Sequence, residues 1–170
     1  MTDAAHVGAF DLAAPAGPFV TVRLLRFPLR HYARTREHYD ELMREFSLIA
    51  SDPPTDRPDR HVPARLLELV DVLGQQYAAT SAAPDAARDE ALERGDASID
   101  LTYEIPKQGS AAATILLRLL EEADQFCQQG QSLLTLAAPA DAVVFRRWWL
   151  GEFVRQVDGM APEPWPGGLD

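Results

Sequence analysis

One cysteine in 170 residues, one lysine beside fifteen arginines, no asparagine, and no unbroken apolar run of membrane length: these scarcities bound the chain before any pattern is read. Cys127 alone closes no internal disulfide, and clustered cysteine ligands for a structural zinc cannot be assembled. With no apolar run of about 18 residues and no basic-then-apolar leader, a soluble cytoplasmic protein is expected. The net charge of −10 lacks the basic footprint of a nucleic-acid binder. G-x-S-x-G, Walker A, the Rossmann glycine fingerprint and H-E-x-x-H are all missing, so no familiar catalytic motif is present and no catalytic residue is assigned.

What is present suits a single domain, since the length is close to the roughly 150 residues of a typical one. Residues 1–18 are small and Ala/Gly/Pro-rich, an N-terminal arm. Residues 19–158 form one α+β domain, and 159–170 are a Pro-rich tail. Phe19–Phe27 alternates as a half-buried strand stopped by Pro28. Leu29–Ala50 repeats Tyr32, Tyr39, Leu42, Met43, Phe46 and Ile49 at three- and four-residue steps, the mark of an amphipathic helix. After the proline-rich 51–59 loop, a helix opens at Pro63 with Leu66, Leu69, Val70, Leu73 and Tyr77 as its stripe. A Ser/Ala/Pro break separates it from a short helix, Pro84–Arg94, stopped by Gly95. Ala97–Ile105 alternates cleanly as a second strand, Ser110–Gln128 is a further helix, and Ser132–Ala137 reads as a short third strand. A final helix reaches Val157. The expected order is β-α-α-α-β-α-β-α, helix-dominated with a two- or three-stranded sheet.

The final helix, Val143–Val157, is the informative one. Val143, Leu150, Phe153, Val154 and Val157 share one face, expected to be core, while Val144, Phe145, Trp148 and Trp149 lie opposite. That second patch stops halfway along the helix. It is either covered by the tail with Trp165 or left for a partner. Arg146, Arg147, Trp148, Trp149 and Trp165 are the candidate partner-contacting residues, because arginine and tryptophan dominate binding hot spots. A structural alternative has the guanidinium groups stacking on indoles and pairing with acidic residues. Charge is uneven too. Arg23, Arg26, Arg30, Arg34 and Arg36 cluster without an acid, whereas 16 acids face 7 bases from residue 71 onward. Such asymmetry steers a charged partner or pairs internally.

His31 and His38, seven apart on the first helix, share a face that Glu41 continues. Imidazole and carboxylate suit zinc or iron, so this face is the candidate for a metal- or ligand-binding sensor or enzyme. A solvated polar face explains the same residues without chemistry. Cys127 sits at a helix C-terminus, where the dipole disfavours a thiolate nucleophile.

Four stretches, VRLLRFPLRHYARTREHYDELMREFSLIA, HVPARLLELVDVLGQQY, SIDLTYEIP and FRRWWLGEFVRQV followed by PWPG, resemble an uncharacterised family of small actinobacterial proteins. Its members are encoded beside anti-sigma-factor kinases, STAS proteins and SpoIIE-type phosphatases. The resemblance implies a regulator in a partner-switching pathway and carries no catalytic residue. The leading expectation is therefore a non-enzymatic protein-interaction domain without cofactor, acting on a protein partner or as a homodimer.

Overall fold

The computed structural model of the chain describes residues 17–51, 61–129 and 137–168. Its elements run β1 (Phe19–Pro28), α1 (Leu29–Ser51), α2 (His61–Arg94), β2 (Ser98–Pro106), α3 (Gly109–Gln129) and α4 (Ala140–Val157). This is the expected α+β, helix-dominated class, with a two-stranded antiparallel sheet. The third strand expected at Ser132–Ala137 falls outside the described residues but for Ala137, and so does most of the N-terminal arm. No helix among the described residues is long and apolar enough to cross a membrane.

The sheet carries one irregularity that sets its buried face. Leu24 pairs with Leu101 and Phe27 with Ile99, so Leu25 and Arg26 together oppose Asp100. Arg26 bulges with φ of 54°, a left-handed conformation that costs a non-glycine residue about 1–2 kcal/mol. The Asp100 carboxylate holds it there by accepting the Arg26 N–H at 2.7 Å. Strict alternation from Val22 and Leu24 would send Phe27 to the solvent face. The bulge reverses the parity and buries Phe27 with them, opposite Leu101, Tyr103 and Ile105.

Two hydrophobic clusters fill the molecule. The first joins the sheet to Leu29, Tyr32, Ala91, Phe145 and Trp165. The second joins Leu42, Phe46, Leu66, Leu69, Leu119 and Ala123 from α1, α2 and α3. Helix α1 spans both, as its unbroken apolar stripe requires.

Helix α2 also spans both, and here the structure departs from expectation. The two helices read on either side of the Ser/Ala/Pro break are one element of 34 residues, with Pro84 inside it. Proline removes one helical N–H and crowds the preceding turn. Alanines at 78, 79, 82, 83, 86 and 87 supply the strongest helix propensity on both sides of it. The anchors are tertiary, with Leu66 and Leu69 in one cluster and Ala91 in the other. Local breaking signals lose to packing at both ends.

Candidate functional site

Helix α4 does not bury the face that its apolar residues suggest. Its deepest positions are Ala142, Phe145, Arg146, Glu152 and Gln156, a helical stripe interrupted at half-buried Trp149 that is largely polar. Val143, Leu150, Phe153, Val154 and Val157 are only half-buried. Two of the deep polar groups, Arg146 and Gln156, find partners far away in sequence. Arg146 pairs with Asp124 through Nη2 and donates to the Tyr39 hydroxyl at 3.3 Å. Burial alone would favour a neutral guanidinium, but the Asp124 carboxylate and the Tyr39 hydroxyl outweigh it and hold the pKa above its ordinary value. Asp124 also accepts the Ala138 N–H just ahead of α4, at 3.1 Å.

The tail roofs the aromatic patch. Gly159, with φ of 87°, turns the chain back at the end of α4. The Glu163 N–H donates to the Glu152 carboxylate at 2.9 Å, and the Trp165 N–H donates to the Leu25 carbonyl at 3.0 Å. The Trp148 indole donates to the Glu163 carbonyl at 3.1 Å. Trp165 is 3% exposed and meets Phe145 and Trp148 at ring distances of 5.8 and 5.4 Å. A side chain at Gly167 would strike that indole at 2.7 Å, so glycine is required there.

The five candidate contact residues therefore separate. Arg146 and Trp165 are buried in the fold, and Trp148 is held under the tail. Arg147 is exposed and paired with Glu121 at 2.8 Å, the structural alternative for this pair of arginines. Trp149 alone reaches a cavity. On the other face, His31 packs against Trp165 at 5.4 Å and His38 against Tyr39 at 5.9 Å, while Glu41 is exposed. Among the described residues, no group of three or more His, Cys, Asp or Glu side chains converges as a metal site, so His31, His38 and Glu41 do not assemble one.

The cavity is a partly open pocket of about 180 Å³ where the two hydrophobic clusters meet. Helix α2 contributes Leu73, Tyr77, Thr80 and Ser81, and β2 contributes Tyr103 and Ile105. Gly109, Ala112, Ala113 and Leu116 of α3 form its floor with Trp149, Leu150 and Phe153 of α4. Its polar-sounding residues do not make it polar. The Thr80 and Ser81 hydroxyls donate back to the Tyr77 and Ala78 carbonyls. The Tyr103 hydroxyl donates to Asp85 at 3.4 Å, and burial pushes its pKa well up. The Trp149 indole N–H is buried and has no acceptor among the described residues, which ordinarily costs about 1–3 kcal/mol.

The sequence reading missed this pocket because each contributing stripe looked like ordinary core. The only local signal was the run of small residues Gly109–Ala113, which lets α3 approach the sheet without filling the space. An antiparallel two-stranded sheet on a helical body, with an apolar pocket at the junction, is the architecture that the residues define. No protein-family model, no curated protein and no solved structure matches the chain.

Proposed function

We propose that the chain is a non-enzymatic, cytoplasmic protein-interaction domain of a regulatory kind, taking an apolar side chain of a protein partner into the pocket beside Trp149. The observation that supports this most is the pocket itself, about 180 Å³ left open between two filled clusters. Its lining is almost wholly apolar and partly open to water, so an apolar occupant gains by removing that surface from water, at about 25 cal/mol per Å². The resemblance to the actinobacterial family supports a partner-switching pathway controlling transcription as the setting.

The same lining favours a second reading, a sensor of a small apolar ligand, because cavities of roughly 150 Å³ admit an aromatic ring. One experiment separates the two. A photo-crosslinking residue at Ser81, introduced into the native host, should give one defined protein adduct, lost when Ala113→Phe fills the pocket of a still-folded chain. A protein purified with a stoichiometric small molecule in the pocket, and no adduct, would establish the sensor instead.

A further inference from the structure

We propose that the outer edge of β2 accepts an extended segment of the partner as a third strand, with arginine or lysine facing Asp100 and Glu104 and an apolar side chain entering the pocket. This rests on the protein-interaction reading and specifies the partner's chemistry.

The backbone directions follow from the ladder. The Lys107 N–H donates to the Pro18 carbonyl at 3.3 Å, and the Leu29 N–H donates to the Ala97 carbonyl at 3.1 Å. With Val20 opposite Ile105, Val22 opposite Tyr103 and Leu24 opposite Leu101, the odd-numbered residues of β2 turn their backbone groups toward β1. The N–H and C=O groups of Asp100, Thr102 and Glu104 consequently point away from β1. Among the described residues none of these outward groups has a hydrogen-bond partner, and all three residues are exposed.

The opposite edge of the sheet is capped over its second half. Gln156 occupies the backbone of Arg23, and Trp165 takes the Leu25 carbonyl. The protein thus caps the β1 edge at Arg23 and Leu25 and leaves the β2 edge uncapped from Asp100 to Glu104 among the described residues. Unsealed edges template strand addition, in which main-chain bonds supply affinity and side-chain pockets supply specificity. Here edge and pocket share a strand: Thr102 and Glu104 alternate with Tyr103 and Ile105, which line the cavity. A strand added about 4.8 Å beyond β2 sets its inward side chains beside those two residues.

Charge selects the occupant. In a second copy paired over the full strand about Thr102, Asp100 would face the other copy's Glu104, and like charges directly opposite are destabilising. A segment with cations at those positions gains instead.

The test uses the isotope-labelled full chain and the capped peptide Arg-Val-Arg-Leu-Arg-Val, with an alternately N-methylated peptide as control. The unmodified peptide should slow amide exchange at Asp100, Thr102 and Glu104 about tenfold or more, and the N-methylated one should not. Thr102→Pro removes the outward N–H at the centre of the edge, takes no donor or acceptor from the β1–β2 ladder, and should abolish the protection. Glu104→Arg, which leaves every ladder bond intact, should weaken the peptide about tenfold. Peptide-induced shifts at Ala112, Ala113 and Leu116 with the edge amides still exchanging freely would overturn strand addition while leaving the pocket reading standing. Edge protection that is indifferent to Ala113→Phe would keep strand addition and remove the pocket from it. No protection at about 1 mM peptide, or protection that grows with protein concentration alone, would overturn the proposal, the latter in favour of a second copy.

Discussion

The side-chain amide of Gln156 stands at the outer edge of β1 as a neighbouring strand would. Its Oε1 accepts the Arg23 N–H and its Nε2 donates to the Arg23 carbonyl, both at 2.8 Å. The same Nε2 reaches the Glu152 carboxylate at 2.9 Å, which in turn receives Arg155 and the Glu163 N–H. One helical turn of α4 therefore closes the sheet edge and anchors the tail. Gln156→Ala should cost about 1 kcal/mol, because two part-buried backbone groups of Arg23 lose their partners. Urea denaturation reads the cost, and faster exchange of the Arg23 amide locates it.

Trp165→Ala should destabilise by about 3–5 kcal/mol, the range for truncating a buried aromatic. It uncovers Phe145 and Trp148, so binding of a hydrophobic dye should rise. The peptide affinity of the β2 edge should stay unchanged if the covered patch is structural. A parallel loss of peptide binding in a folded variant would return the tail-covered tryptophans to the binding surface.

Breaking the Arg146–Asp124 pair from one side strands a charge in the interior. Arg146→Met or Asp124→Asn alone should cost about 3–5 kcal/mol, while a double replacement by Met and Leu should recover much of that. The Ala138 N–H keeps an amide oxygen as acceptor in Asp124→Asn but loses its acceptor in Asp124→Leu, which limits the recovery. Additive losses in the double variant, measured by denaturation, would show that the two residues are not energetically a pair.

His38 gives a pH signature. Burial lowers its pKa below 6.5, with Arg146 acting in the same direction and the Asp124 and Glu41 carboxylates opposing. The unfolded chain then takes up the proton first. The contribution to stability is complete above pH 6.5 and is lost as pH falls below it, until the folded imidazole also protonates. Unfolding free energies at about pH 7.5 and 5.5 should therefore fall more steeply for the native chain than for His38→Gln. Equal slopes would place the acid sensitivity elsewhere.

Cys127 should resist alkylation in the folded state at about pH 8, since burial pushes its thiol up to about 11 and the Asp124 and Glu45 carboxylates add to this. Mass spectrometry after iodoacetamide treatment, with and without denaturant, checks it.

Much of the fold was legible in local pattern. The alternation of β2 correctly separates buried Leu101, Tyr103 and Ile105 from exposed Asp100, Thr102 and Glu104. The α1 stripe likewise places Leu42 and Phe46 in the core. Such patterns work because each residue's burial follows from its own apolarity and the period of its element. Three features escaped that logic. Pro84 and its small neighbours read as a break, yet packing at Leu66 and Ala91 carries the helix through. The Arg26 bulge, which Asp100 secures, reverses the parity that alternation assigns to Phe27. The aromatic side of α4 admits both a tail roof and a free surface on its pattern alone; the tail covers Phe145 and Trp148 and leaves Val144 exposed.

By itself the sequence determined the α+β class, most of the helices and strands, and the faces on which simple amphipathicity holds. Tertiary structure alone decided which polar groups of α4 go inside, which sheet edge is capped, and that the two clusters meet around an unfilled pocket. The reason is separation: Arg146 meets Asp124 across 22 residues and Gln156 meets Arg23 across 133. A buried charge or amide is tolerable only when its partner arrives, and no local periodicity records that arrival. The pocket is the same lesson in reverse, a space bounded by apolar stripes that each look complete until they are placed together.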